Sequence, residues 1–135
     1  MEVDANPSAH AAALWAGLNL FLMLVLSMMV VGQRRKHKVL VGDGGVPEML
    51  QALRAFGNAA EYVPAAIAGL AVLAVADASP LAIHLAGALL LIGRVAHAVG
   101  FSGTAGISVG RTIGTLATWL AYIFLGVALL FYGIG

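Results

Sequence analysis

Four apolar stretches, near 11–31, 55–76, 81–101 and 112–134, fill most of this 135-residue chain. A helix needs roughly 20 predominantly apolar residues to cross the hydrocarbon of a bilayer, so each stretch is predicted to be a transmembrane span. With 61% hydrophobic and 10% charged residues and a mean hydropathy of +0.99, the chain has more apolar surface than so small a domain can hide from water. The expected fold is an all-α membrane protein, a bundle of four transmembrane helices forming one domain over 1–135. A formal net charge of +1 gives no field for nucleic acid. The absence of cysteine excludes a disulfide framework, a cysteine nucleophile and thiolate metal sites, so any thiol chemistry needs a thiol brought from outside.

The segments between spans carry start signals and a charge bias. Ser79-Pro80 and Pro47 are suited to open the third and second helices. Pro64 lies inside the second span, where a kink or a carbonyl satisfied by a neighbour is expected. The first span is flanked by Glu2 and Asp4 and is too long for a signal-peptide core, so it is kept as a helix. The first connection, from Gly32 to about Arg54, carries Arg34, Arg35, Lys36 and Lys38, and the third carries Arg111. The positive-inside rule then puts those two connections in the cytoplasm and both termini outside it. Gly106, Gly110 and Gly114 have weak helix-packing spacing, with the first two read as loop glycines. Trp15, Trp119, Tyr122 and Tyr132 are expected to face lipid or the interface.

Ionisable groups at membrane depth are functional candidates, because each costs roughly 2.5 to 3.5 kcal/mol on insertion scales. Arg54, Asn58 and Glu61 fall within about a 60° arc of the second helix, in a stripe that continues through Ala65, Ala68 and Gly69. Arg94, His97 and Phe101 share a face of the third, and Arg111, Thr115, Thr118 and Tyr122 a stripe of the fourth. The topology brings all of these charges to the cytoplasmic third. Two readings stand: a Glu61–Arg94 ion pair that fixes helix register, or a polar ligand site that also employs Arg54, Asn58, His97 and Arg111. No metal is expected, since the histidines are too scattered for zinc or haem. Gly42-Asp43-Gly44-Gly45 lacks the Lys-Ser/Thr of a phosphate loop and reads as a turn.

Several arginines, an asparagine and a glutamate suit a small ligand with separate carboxylates, an ammonium and peptide bonds. Arginine grips carboxylate with a two-pronged fork, Glu61 can accept from an ammonium, and Asn58 can pair with an amide. Glutathione has all of these groups, and an adjacent guanidinium would lower its thiol pKa and raise the reactive fraction.

The segments Arg54-Ala-Phe-Gly-Asn58-Ala-Ala-Glu61-Tyr62-Val-Pro64 and Arg94-Val-Ala-His97-Ala-Val-Gly-Phe101 closely resemble the two signature segments of the MAPEG family, the membrane-associated proteins in eicosanoid and glutathione metabolism. The resemblance covers nearly the whole chain, and the Gly-Asp-Gly-Gly turn is most similar to small bacterial members. It implies a homotrimer in a bacterial inner membrane, with glutathione as co-substrate bound between neighbouring subunits near the cytoplasmic face. Carried over by motif position, Arg54, Asn58, Glu61, Tyr62, Arg94, His97 and Phe101 would line that site, and Arg34 or Arg35 would reach the tripeptide. Arg111 resembles the arginine that stabilises the thiolate; its alternative reading is a positive-inside anchor. Phe101 stands where a tyrosine is often found, which removes one hydroxyl from the site. The implied activity is a glutathione transferase or peroxidase acting on lipophilic electrophiles or lipid hydroperoxides. A non-catalytic glutathione- or lipid-binding scaffold and a proton-coupled transporter using Glu61 and His97 are the competing functions.

Overall fold

The computed structural model describes residues 6–103 and 106–135, so Glu2 and Asp4 lie outside the described residues. Four helices follow one another: α1 (Pro7–His37), α2 (Pro47–Val75), α3 (Pro80–Gly103) and α4 (Val109–Ile134). Each is long and apolar enough to cross a membrane. There is no strand among the described residues.

The helix ends follow from local chemistry. Asn6 caps α1 by accepting the Ala9 N–H at 2.9 Å, and Pro7 follows at the first helical position. At the other end the helix runs further than the hydropathy suggests. Arg34, Arg35, Lys36 and His37 form its last turn, not a loop, and Lys38 closes it in the left-handed region at φ 56°. Cations in a last turn oppose the negative end of the helix dipole, which favours continuing the helix through the basic cluster. Pro47 opens α2. The intervening turn needs positive φ at Gly42, Gly44 and Gly45, which is the conformation the glycine-rich segment provides.

α2 runs unbroken through Pro64. Two residues earlier, the Tyr62 carbonyl accepts the Tyr122 hydroxyl, which ties this part of α2 to α4. At the far end of the bundle Asn6 and Ser8 hydrogen-bond Asp77 and the Ala78 carbonyl, and the Ser79 N–H donates to the Tyr132 hydroxyl. Those contacts tie the start of α1 and the end of α4 to the α2–α3 turn.

α2 and α3 make the centre of the bundle. α1 and α4 each pack on both and do not touch one another. The α3–α4 contact is the tightest, because glycines face each other across it. A Cβ on Gly114 would lie 2.5 Å from the His97 nitrogen and 2.6 Å from the Gly93 oxygen, and one on Gly110 would lie 3.0 Å from the Ala96 oxygen. Gly110 therefore belongs to a packed seam between α3 and α4 and is not a loop glycine. Trp119 and Tyr132 are exposed, as expected of lipid-facing aromatics, whereas Trp15 and Tyr122 are partly buried. Trp15 packs on Gly87 and donates to His84 Nδ1 at 3.0 Å, while Tyr122 lies half-buried against Tyr62. An indole N–H or phenol O–H at membrane depth needs a partner, and here packing provides one.

Candidate functional site

The end of the bundle that holds the basic turn of α1 also holds the starts of α2 and α4 and the end of α3. Two polar arrangements form there, one buried and one open.

The buried one is centred on Arg94, which is 2% exposed. Its Nε donates to Thr118 Oγ1 at 2.8 Å, one terminal nitrogen to Asn58 Oδ1, and the other to the Gly114 carbonyl at 3.3 Å. The guanidinium carbon stands 5.1 Å from the centre of the Tyr62 ring. Tyr62 in turn meets Tyr122 edge-on and accepts the Trp119 indole N–H at 3.4 Å. One cation thus bonds α2 and α4 from its place on α3, where Gly93 and Gly114 bring the α3 and α4 backbones together. No ion pair joins Arg94 to Glu61: Glu61 lies on the exposed face of α2, and Asn58 takes the bond instead. The stripe Arg54, Asn58, Glu61 is therefore divided, with Asn58 turned inward.

The open arrangement is a recess of about 510 Å³ lined by Asp43, Gly45, Val46, Pro47, Leu50, Gln51, Arg54, Phe101 and Arg111. Arg54 comes from α2, Phe101 from the end of α3 and Arg111 from the first turn of α4. Ser108 seats that first turn. Its hydroxyl accepts the Arg111 N–H at 3.2 Å and donates to the Gly100 carbonyl at 2.9 Å. Arg111 also lines a groove of about 680 Å³ that follows α4 past Thr112, Thr115 and Leu116 to Trp119. Arg111 therefore borders both a recess with charged residues and a groove along α4.

Of the residues singled out in the sequence, the structure brings Arg54, Phe101 and Arg111 to one recess. It brings Asn58, Tyr62 and Arg94 to the buried network. His97 lies between them, buried, its ring 5.1 Å from that of Phe101. Arg34 is turned to the connection after α1, donating to the carbonyls of Val39, Leu40 and Gly42. Arg35 lines a separate hollow on α1 with Ser27, Met28, Val31 and Gly32. Neither lines the recess. Asp43 and Gln51 were not singled out, yet both line it. The available signal for Gln51 was its place one turn before Arg54; Asp43 was concealed by its role in the turn, where its carboxylate accepts the Gly45 N–H at 3.0 Å. Among the described residues no cluster of His, Asp or Glu is suited to a metal ion.

A recess with two guanidinium forks, a carboxylate and a carboxamide is matched to a small zwitterionic ligand. Comparison with known proteins bears on which one. The model of the MAPEG family matches residues 12–131. The chain belongs to the MAPEG family. It is also 36% identical over 121 residues to the inner membrane protein YecN of Escherichia coli K12, covering 90% of this chain and 91% of that protein, and equally so to YecN of Escherichia coli O6:H1. As a MAPEG protein the chain is a membrane protein of a glutathione and eicosanoid metabolism family, and its two signature segments end at the buried network and the recess.

Proposed function

We propose that the protein is an integral membrane glutathione transferase or peroxidase, with the tripeptide held in the recess at the basic end and the lipophilic acceptor in the adjoining α4 groove. The observation that carries this reading is the position of Arg111, which lines both hollows. The recess volume of about 510 Å³ lies within the range of roughly 300 to 1,000 Å³ usual for small-molecule sites. When bound, glutathione supplies a thiol that, after losing its proton to water, forms a carbon–sulfur bond with an electrophile as a leaving group departs or a double bond opens and is protonated, or that joins a second glutathione as the disulfide while a hydroperoxide is reduced to the alcohol and water.

This chain's residues divide the remaining tasks. Arg54 binds a carboxylate, Gln51 pairs with a peptide bond, and Asp43 accepts from the ammonium. Arg111 stabilises negative charge on the sulfur at the boundary of the groove. Thr112, Thr115, Leu116 and Trp119 form the wall along which an acceptor enters from lipid.

Glu61, Arg34 and Arg35 join the site only across a subunit boundary, in the homotrimer implied by the family. The exposed faces support such an assembly. α1 and α4 present large apolar side chains such as Phe21, Leu24, Ile123 and Phe131 along their length, whereas α2 exposes Leu50, Val72 and Val75 only towards its ends and Ala60, Glu61, Ala65, Ala68 and Ala71 in between. A lone carboxylate among small residues is a poor surface for lipid and a good one for another helix. The basic residues at the same end favour a cytoplasmic position for it, with the termini outside, in a bacterial inner membrane.

The test is turnover by detergent-purified protein with glutathione and a generic electrophile or lipid hydroperoxide. Activity that falls at least tenfold more than glutathione affinity in Arg111→Ala supports the reading. Measurable affinity without turnover across diverse acceptors would favour the non-catalytic scaffold.

A further inference from the structure

We infer that Phe101 is the positioning residue for Arg111: the ring that ends the α3 motif holds the guanidinium at the boundary between recess and groove. The inference rests on the proposed function of that site and adds the device that sets its geometry.

Phe101 has no hydrogen-bonding atom, so a contribution to a polar site must come through its shape or through a neighbour. That neighbour is Arg111, whose guanidinium carbon lies 4.5 Å from the centre of the Phe101 ring. A guanidinium stacks readily on an aromatic face, where the ring quadrupole attracts it. The ring is itself fixed: the His97 ring meets it at 5.1 Å and 64°, and Ala55, Ala59 and Val63 of α2 with Leu26 of α1 form the cluster behind it. The backbone of Arg111 is fixed separately, by the Ser108 cap that also bonds the Gly100 carbonyl. A Cβ on Gly100 would approach the Arg111 nitrogen to 2.5 Å, so α4 begins in direct contact with the turn that carries Phe101. The long arginine side chain is thus located at both ends, by a capped backbone and by a ring. Orientation of a charged group before reaction is what lets it act on a developing charge without rearrangement.

The experiment compares the wild type with Phe101→Leu, which removes the ring and keeps an apolar side chain, and Phe101→Tyr, which keeps the ring. Phe101→Met serves as a second ringless variant if the leucine variant does not fold. Glutathione binding is measured by calorimetry at low pH, where the thiol is protonated, and ionisation of the bound thiol is followed by its ultraviolet absorbance against pH. The ringless variant is expected to raise the thiol pKa by about one unit, a tenfold change in ionisation, while low-pH affinity changes less than about twofold. Phe101→Tyr is expected to match the wild type. A ringless variant whose thiol titrates within about threefold of the wild type, or one that loses low-pH affinity as strongly as ionisation, overturns the positioning role alone. A wild type that binds no glutathione overturns both this role and the functional reading beneath it.

Discussion

Arg94 and Arg111 lie at the same end of the bundle on helices packed together, and their surroundings are opposites. Arg94 is 2% exposed and bonds Asn58, Thr118 and the Gly114 carbonyl. Arg111 stacks on Phe101 and faces two hollows of about 510 and 680 Å³. Arg94 spends its donors on the two neighbouring helices, whereas Arg111 also lines two hollows. An arginine in a span is a functional candidate on insertion energetics alone, and burial and adjoining cavities are what distinguish these two.

The contrast is sharpest when the buried cation is removed. Arg94→Met leaves the Asn58 and Thr118 acceptors without their donor, while the Gly114 carbonyl keeps the Thr118 hydroxyl, and the expected loss is about 2 to 4 kcal/mol of stability in detergent. A thermal midpoint unchanged from the wild type would show that the network adds nothing to the fold. Gly114→Ala attacks the same network from the backbone side. Helix propensity alone makes this change favourable by up to about 1 kcal/mol, but the new Cβ would press on His97 and Gly93 backbone atoms that cannot step aside. A net loss of about 1 to 3 kcal/mol is expected, and a stabilised variant would mean the seam is looser than drawn.

At the open pair the pattern should invert. Arg54→Ala is expected to weaken glutathione binding about tenfold while moving stability by no more than about 0.5 kcal/mol. A large thermal loss without a binding change would make Arg54 another helix fastener. The smallest effect belongs to Tyr122→Phe, which deletes only the bond to the Tyr62 carbonyl. It should lower stability by about 1 kcal/mol and leave glutathione affinity unaltered by titration.

The four spans were legible because hydrocarbon sets a length and a composition that few other folds satisfy. The gathering of Arg54, Phe101 and Arg111 was legible for a related reason, since alternating spans bring the start of α2, the end of α3 and the start of α4 to one side. What opposes each stripe was not. Periodicity puts Arg54, Asn58 and Glu61 on one face of α2, but it cannot tell that Asn58 meets Arg94 while Glu61 is exposed. The ion pair between Glu61 and Arg94 was the natural guess from charge alone. It failed because the glycine seam offers Arg94 the Thr118 hydroxyl and the Gly114 carbonyl without requiring a carboxylate. Tyr122 and Trp15 were misjudged for the same reason, since whether an aromatic donor seeks the interface or an internal acceptor depends on packing partners far away in sequence. The basic turn of α1 was taken for a loop because hydropathy ends at Val31 while the helix, favoured by its terminal cations, does not.

The most direct test is calorimetric titration of detergent-purified protein with glutathione, run on the wild type, Arg54→Ala and Arg94→Met. Saturable binding to the wild type, weakened about tenfold by Arg54→Ala, with Arg94→Met losing stability but keeping affinity wherever it remains folded, is the predicted outcome. Absence of binding to the well-folded wild type, or equal affinity in the wild type and Arg54→Ala, would contradict the assignment of the recess.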